Sequence, residues 1–157
     1  KGLALANNIP CVSVSTLESM AYNFLSTDCI VCAVMDARCS QVYNALFEIK
    51  NGVITRLCDD RALSLNDLKN ELLSVDGRII IAGDGTDITC KYIGNEIKNA
   101  ESAPVNLKYQ RASSTALVAF KMINNGQTVS AQELMPVYLR LPQAQRELNK
   151  KLGGRTK

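Results

Sequence analysis

The sequence contains no histidine among its 157 residues. This absence excludes Ser-His-Asp and Cys-His nucleophile pairs, histidine-ligated metals and a histidine general base. A hydrolase made from this chain would need a lysine base, paired carboxylates or a metal held by carboxylates alone.

The sequence also lacks a secretory leader and any apolar run of about 18 residues that could cross a bilayer. Most of the six cysteines lie in or beside apolar segments, where a free thiol behaves as a small apolar group. We therefore expect a cytoplasmic protein that does not contact membranes. Cys29 and Cys32 have the spacing of a redox or zinc motif, but on a strand they would point to opposite faces. No histidine completes the set, so we predict neither a metal site nor a cofactor.

Strong charge of one sign is also missing, because the net charge is only +3. Much of the excess lies in the tail, at Arg146, Lys150, Lys151, Arg155 and Lys157. This distribution favours a solvated tail over a surface that binds nucleic acid. The chain opens with Lys1 rather than Met, and we expect it to be a fragment that begins at the end of a helix.

The apolar pattern from residue 29 onward predicts an α/β fold. An unbroken apolar run at 29–35 is typical of a strand buried on both faces, and strands at 41–49 and 53–58 follow it. Asn51-Gly52 is the preferred pair for the hairpin between the last two strands. After these we predict a helix capped by Ser64, a strand at 78–82, a helix at 86–98, an extended piece at 104–107 and a helix at 113–124.

The predicted order is β-β-β-α-β-α-β-α, which is typical of an actin/Hsp70-like (ribonuclease H-like) lobe. We expect a mixed five-stranded sheet with helices on both faces, and the helix at 113–124 sandwiched between layers. A short strand at 11–14 and a helix capped by Ser15 precede it. We assign 1–26 to the remnant of a first actin-like lobe, 27–111 to the second lobe, 112–152 to closing helices and 153–157 to a disordered tail.

The segment Gly83-Asp84-Gly85 follows a buried strand and opens a helix. Glycine amides at a helix start can approach an anion, so Gly83, Asp84 and Gly85, with Asp36 on a magnesium ion, are candidates for nucleotide binding. The alternative is a tight turn capped by Asp84 or Thr86, and the nearby aspartates favour it because they repel phosphate.

The turn at 36–40 contains no glycine, although a phosphate-binding corner would need one for close backbone approach. Asp36 could bind a magnesium ion and Arg38 a phosphate or a partner. Alternatively, the two residues could bond each other or the hairpin backbone and so fix the turn. We predict a solvated loop at Asp59-Asp60-Arg61. We also predict that Tyr138 and Arg140 anchor the C-terminal segment.

Four segments resemble the TsaB (YeaZ) family: AVMDARCSQVYNALFEI, the Gly83-Asp84-Gly85 turn, MPVYLRLPQAQREL and the opening KGLALANNIPCVSVSTLESMA. The resemblance implies a non-catalytic bacterial partner subunit in making threonylcarbamoyladenosine on tRNA. Its implied partners are the carbamoyl-transferring subunit TsaD and the ATPase TsaE, and a homodimer in isolation is an open expectation. The family pairs with TsaD through first-lobe helices, which makes Lys1, Gly2, Leu3, Leu5 and Ala6, together with Arg38, the candidate partner surface. Contact with tRNA stays open.

Two other functions compete with this one. An actin-like or sugar-kinase-like ATPase would use Gly83, Gly85 and Asp36. A peptidase, by the older glycoprotease label, would have to cleave peptides without any histidine, and we rank it last.

Overall fold

The computed structural model describes residues 1–140. The strands are β1 (Cys29–Asp36), β2 (Gln41–Lys50), β3 (Val53–Arg56), β4 (Arg61–Ser64), β5 (Ile79–Ala82) and β6 (Ala100–Ser102). The helices are α1 (Gly2–Ala6), α2 (Thr16–Ala21), α3 (Leu65–Leu72), α4 (Thr86–Ile93), α5 (Val105–Lys108) and α6 (Ala112–Asn124), and a 3-10 turn at Tyr22–Phe24 continues α2. No helix within residues 1–140 is long and apolar enough to cross a membrane.

Six strands form one mixed sheet in the order β3-β2-β1-β5-β6, and β4 pairs with β2 beside β3. The β1–β2, β2–β3 and β2–β4 pairs are antiparallel, whereas β1–β5 and β5–β6 are parallel. The switch from antiparallel hairpins to parallel βα units occurs at β1. The predicted fold class is confirmed, with one more strand than the five expected.

Strand β1 is buried on both faces, as its unbroken apolar run predicts. One face packs under α2, where Leu17, Met20 and Phe24 meet Val31 and Phe47. The other face packs under α3 and α4, in a core that includes Cys32, Val34, Leu68, Leu72 and Ile81. Cys29 belongs to the first core and Cys32 to the second, so their side chains point apart as expected.

Local turn and cap signals are confirmed where the partners lie close in sequence. Asn51 and Gly52 have φ values of 52° and 73°, the left-handed pair that a two-residue hairpin needs. The Ser64 side chain accepts a hydrogen bond from the Asp67 amide and caps α3. Ser15 caps α2 in the same way, from the Glu18 amide.

Other expected elements differ from the structure. The strand expected at 11–14 is a single bridge between Cys11 and Val129. The helix expected at 86–98 ends at Ile93, because Gly94 adopts a φ of 54° and breaks it. The extended piece expected at 104–107 is the helix α5, and β6 lies at Ala100–Ser102 instead.

Helix α6 is not sandwiched between layers within residues 1–140. Only Ser114 and Val118 are buried along it. Leu117, Phe120 and Ile123 are 53%, 65% and 52% exposed. The prediction was wrong because apolar residues on all sides show only that a helix could be buried. They do not show that other elements cover it.

The proposed boundaries of the lobes and closing helices stay predictions. Helix α1 buries no residue, whereas α2 supplies four buried residues. The part of the closing helices expected beyond residue 140, the tail expected at 153–157 and the basic residues of both lie outside the described residues.

Candidate functional site

The two turns singled out from the sequence meet at the carboxyl end of β1. The Asp36 amide donates a hydrogen bond to Asp84 Oδ1 at 3.2 Å. The Gly85 amide donates to the Val34 carbonyl at 3.3 Å. The four candidate nucleotide-binding residues, Asp36 and Gly83 to Gly85, therefore lie side by side, as the carboxyl ends of neighbouring parallel strands require.

Both glycines of this site are required because the backbone of β1 lies too close to them to leave room for a side chain. Gly83 has a φ of +118°, and a Cβ there would lie 1.9 Å from the Val34 carbonyl oxygen. A Cβ on Gly85 would lie 3.1 Å from the Met35 carbonyl carbon. The turn is thus glycine-rich because the protein's own backbone approaches it closely.

Three amides of this turn, those of Gly83, Gly85 and Thr86, already have acceptors. The Gly83 amide donates to the Lys108 carbonyl at 2.7 Å, and the Thr86 amide donates to the Gly83 carbonyl at 3.3 Å. The Thr86 hydroxyl also donates to the Gly83 carbonyl, at 2.7 Å. Gly85 occupies the N-cap position of α4 without a side-chain cap, so capping by Asp84 or Thr86 was wrong. A phosphate would have to displace these bonds to reach the amides.

The β1–β2 turn consists of non-glycine residues whose backbone lies in the left-handed region. Arg38, Cys39 and Ser40 have φ values of 63°, 54° and 56°. Asp36 Oδ1 accepts from the Arg38 amide at 2.7 Å, and the guanidinium of Arg38 lies 3.9 Å from the same carboxylate. Asp36 therefore fixes the turn that follows it, while the Arg38 side chain stays 87% exposed.

Contacts from three other elements hold this turn. The Arg140 guanidinium donates to the Ala37 carbonyl. The Leu65 amide donates to the Ser40 carbonyl at 3.0 Å. With Asp84 on the Asp36 amide, these bonds explain how a strained turn persists. The predicted anchoring role of Arg140 is confirmed. Tyr138 is 83% exposed, so its predicted anchoring role was wrong.

The predicted partner surface lies mainly on α1. No residue of that helix is buried, and Leu3 and Leu5 are 85% and 48% exposed. The Lys1 ammonium donates to the carbonyls of Gln132 and Leu134 at 3.2 and 3.1 Å. Gly2 and Ala6 are exposed. Arg38 belongs to the β1–β2 turn, so this candidate set covers two separate elements.

Sequence reasoning missed an ion cluster beside α2. Arg56 pairs with Glu18 at 2.8 Å and with Asp60 at 2.6 Å, and it lies over the Phe47 ring. Burial lowers the pKa of Arg56, but hydrogen bonds to Asp60 and Glu18 outweigh that effect and raise it. The solvated loop predicted at 59–61 is correct for the exposed Asp59 and wrong for Asp60 and Arg61, which are half-buried and paired. The partners lie far apart in sequence, so no local pattern could reveal them.

A cleft of about 460 Å³ opens next to this cluster. Its walls come from residues 13–17 at and before the start of α2, from β1, β2 and Asp60, and from residues 136–140. The lining residues are Ser13, Val14, Ser15, Thr16, Leu17, Met35, Tyr43, Asp60, Pro136, Val137, Tyr138, Leu139 and Arg140. The PVYLR motif was the one sequence signal that pointed to part of it.

The sheet topology and the paired turns define an α/β lobe of the actin-like class. The model of the family described as TsaD, tRNA N6-adenosine threonylcarbamoyltransferase, matches residues 1–148. The chain therefore belongs to this family.

One relative is the tRNA threonylcarbamoyladenosine biosynthesis protein TsaB of Bacillus subtilis (strain 168). It is 28% identical over 145 residues, which are 92% of this chain and 62% of TsaB.

Two solved structures from Pseudomonas aeruginosa share the fold. YeaZ aligns with a TM-score of 0.68 at 21% identity. A protein similar to peptidase YeaZ aligns with a TM-score of 0.67 at 22% identity. Each alignment covers 88% of this chain and 63% of the other. The chain thus spans less than two thirds of the length of these relatives.

Proposed function

We propose that this chain serves as a non-catalytic partner subunit of the bacterial complex that installs threonylcarbamoyl on adenosine in tRNA. Membership of the family across residues 1–148 supports the pathway. The observation that carries the non-catalytic role is the occupied Gly83–Thr86 turn, whose amides at Gly83, Gly85 and Thr86 donate to protein carbonyls. With these three amides occupied by its own backbone, the turn is poorly suited to bind phosphate, which supports a role beside a separate catalytic subunit.

The subunit that performs the transfer would be of the TsaD type, and an ATPase of the TsaE type would join the pair in the cytoplasm. The exposed apolar residues of α1 and the fixed, exposed Arg38 supply the proposed docking surface. Without its partner, the chain would associate with itself through exposed apolar side chains.

The test uses the full-length protein, the TsaD-type subunit and the ATPase, with tRNA as substrate. The full-length protein should co-purify with the TsaD-type subunit, and omitting it should abolish or strongly reduce threonylcarbamoyl transfer. Arg38→Ala should weaken co-purification, whereas the exposed Lys91→Ala on α4 should not. Full modification in the absence of this protein would refute the proposed role.

An actin-like ATPase is the second candidate, favoured by the convergence of Asp36, Asp84 and the two glycines. Calorimetry of the full-length protein with Mg-ATP distinguishes the two. Micromolar binding by this subunit alone would support the ATPase and count against the accessory role. A peptidase ranks last, although one relative carries that label, because the chain has no histidine.

A further inference from the structure

We propose that Asn51 is a site of spontaneous deamidation, and that the isoaspartate it forms opens the β2–β3 hairpin. The sequence contains two Asn-Gly pairs, Asn51-Gly52 and Asn125-Gly126. The first forms the hairpin turn and the second follows the end of α6. The backbone bonds of the two pairs differ, and that difference selects Asn51.

Deamidation of an Asn-Gly pair needs neither an enzyme nor a cofactor. The main-chain nitrogen of the glycine loses its proton to solvent and attacks Cγ of the asparagine side chain. The new N–Cγ bond closes a succinimide, the Cγ–Nδ2 bond breaks, and ammonia leaves with a proton returned by solvent. Water then opens the succinimide at either carbonyl and gives aspartate or isoaspartate. Glycine favours the attack because no Cβ hinders the approach.

Exposure does not separate the two pairs. Asn51, Gly52, Asn125 and Gly126 are all exposed, so water reaches each pair. The two glycines also share a backbone conformation, with φ values of +73° and +70°. The hydrogen bonding of the attacking nitrogen therefore decides which pair reacts first.

The attacking nitrogen at Asn125-Gly126 is held by the end of α6. The Gly126 amide donates to the Ile123 carbonyl at 2.9 Å, and the Gln127 amide donates to the Met122 carbonyl at 2.9 Å. These two bonds form the Schellman arrangement that commonly closes a helix at glycine. Rotation of the Gly126 nitrogen toward the Asn125 side chain would break them, so this pair is protected.

The attacking nitrogen at Asn51-Gly52 has no such restraint. The turn lies between Lys50 and Val53, which are paired across the hairpin. The Asn51 amide donates to Asp28 Oδ1 at 2.8 Å. The Gly52 amide, in contrast, donates no backbone hydrogen bond within residues 1–140. Attack from this nitrogen costs no hydrogen bond, so Asn51 reacts before Asn125.

The products change both the charge and the length of the hairpin. Either product places a new carboxylate at position 51, close to the carboxylate of Asp28. Isoaspartate also adds one carbon to the main chain, which a two-residue loop between paired Lys50 and Val53 cannot contain without losing that pairing. Strand β3 carries Arg56, which pairs with Glu18 of α2. An opened hairpin would therefore also weaken the contact between this strand and α2.

The first test incubates the folded chain at neutral and mildly alkaline pH and maps its peptides by mass spectrometry over time. Asn51 should convert about fivefold or more faster than Asn125, since one backbone hydrogen bond of ordinary net strength corresponds to about that factor. Both rates should rise with pH, because the deprotonated nitrogen is the nucleophile. In urea, where the bonds of α6 are lost, the two rates should become close to equal.

Two results of this test would overturn the site. The first is a rate at Asn125 that equals or exceeds the rate at Asn51 in the folded chain. The second is a preference for Asn51 that persists unchanged in urea, because the adjoining residues rather than the fold would then determine it. Asn51→Gly keeps a left-handed turn and is the control. It should remove the early deamidation product and leave the rate at Asn125 unchanged, and an undiminished early yield would equally count against the site.

The second test measures the opening of the hairpin. The isoaspartate form, separated by its added charge, is compared in thermal unfolding with Asn51→Asp, which carries the charge without the extra carbon. The isoaspartate form should unfold at a lower temperature than both Asn51→Asp and the wild type. Equal unfolding temperatures of the isoaspartate form and Asn51→Asp would overturn the opening of the hairpin. Neither test involves a partner subunit, so both are independent of the proposed function.

Discussion

At the scale of single residues, the closest approach in the site is between Gly83 and β1. The backbone of Gly83 adopts a φ of +118° and faces the Val34 carbonyl oxygen, which would lie 1.9 Å from a Cβ. A main-chain atom of a central strand cannot move aside as a flexible side chain could. One missing methyl group thus allows two turns and two strands to converge.

Gly83→Ala should therefore destabilise the fold strongly. We expect a loss of about 3 kcal/mol or more in the free energy of unfolding, from left-handed strain added to a backbone clash. Urea unfolding followed by circular dichroism measures it.

The matched control is Gly126→Ala, which has a φ of +70° and nothing within 4 Å of the added Cβ. It carries the conformational strain alone and should cost about 1 kcal/mol. Equal losses in the two variants would show that the contact with Val34 does not determine the fold of this turn.

At the scale of elements, the predictable parts were those whose partners lie near in sequence. The Asn51-Gly52 hairpin, the Ser64 cap and the double-sided burial of β1 each follow from a few adjacent residues. Strand β4 has no such signal, because Arg61 at its start is held by Glu71 at 2.5 Å and by the buried Asn44 at 3.1 Å. The loop-like composition of residues 59–61 was overridden by these long-range bonds.

The same difference explains what sequence reasoning found of the candidate site. Sequence reasoning identified both turns that meet at the carboxyl end of β1, because each turn follows a strand with a clear apolar pattern. It missed the cleft because Ser13, Tyr43 and Tyr138 come from three distant segments that meet only in the folded chain.

The capping box formed by Ser130 and Glu133 predicts how the stabilisation of this turn depends on pH. Glu133 Oε2 accepts from the Ser130 amide at 3.0 Å, and the Glu133 amide donates to Ser130 Oγ at 3.3 Å. Hydrogen bonding by the Ser130 amide and then by its side chain lowers the pKa of Glu133 below its ordinary value of 4.5. The stabilisation of this turn is thus complete above the unfolded pKa and is lost as the pH falls through the lower folded pKa.

An NMR pH titration of the Glu133 side chain should show a midpoint below 4.5. Ser130→Ala keeps the amide donor and removes the hydroxyl, so it should move the midpoint part of the way back. A Glu133 midpoint unchanged by Ser130→Ala would mean that the hydroxyl does not contribute to the shift.

At the scale of the whole molecule, the sheet is covered on both faces, whereas helix α6 keeps large apolar side chains exposed. Both faces of the sheet are covered, by α2 on one side and by α3 and α4 on the other. Helix α6 contacts α2 and leaves Leu117, Phe120 and Ile123 more than half exposed. Exposed apolar side chains grouped on one helix mark an interaction surface more often than isolated ones do.

We therefore expect this chain, on its own, to associate with itself in a concentration-dependent way. Phe120→Glu should shift the sedimentation profile toward monomer by placing a charge on the α6 surface, and analytical ultracentrifugation over a range of concentrations measures it. Val53→Glu is the matched control, since Val53 is 64% exposed on β3, away from that helix. An equal effect of both substitutions would mean that added charge alone prevents association, and a wild-type chain that stays monomeric at every concentration would refute self-association itself. A shift toward monomer with Phe120→Glu but not with Val53→Glu would identify α6 as the surface that a partner subunit covers in the complex.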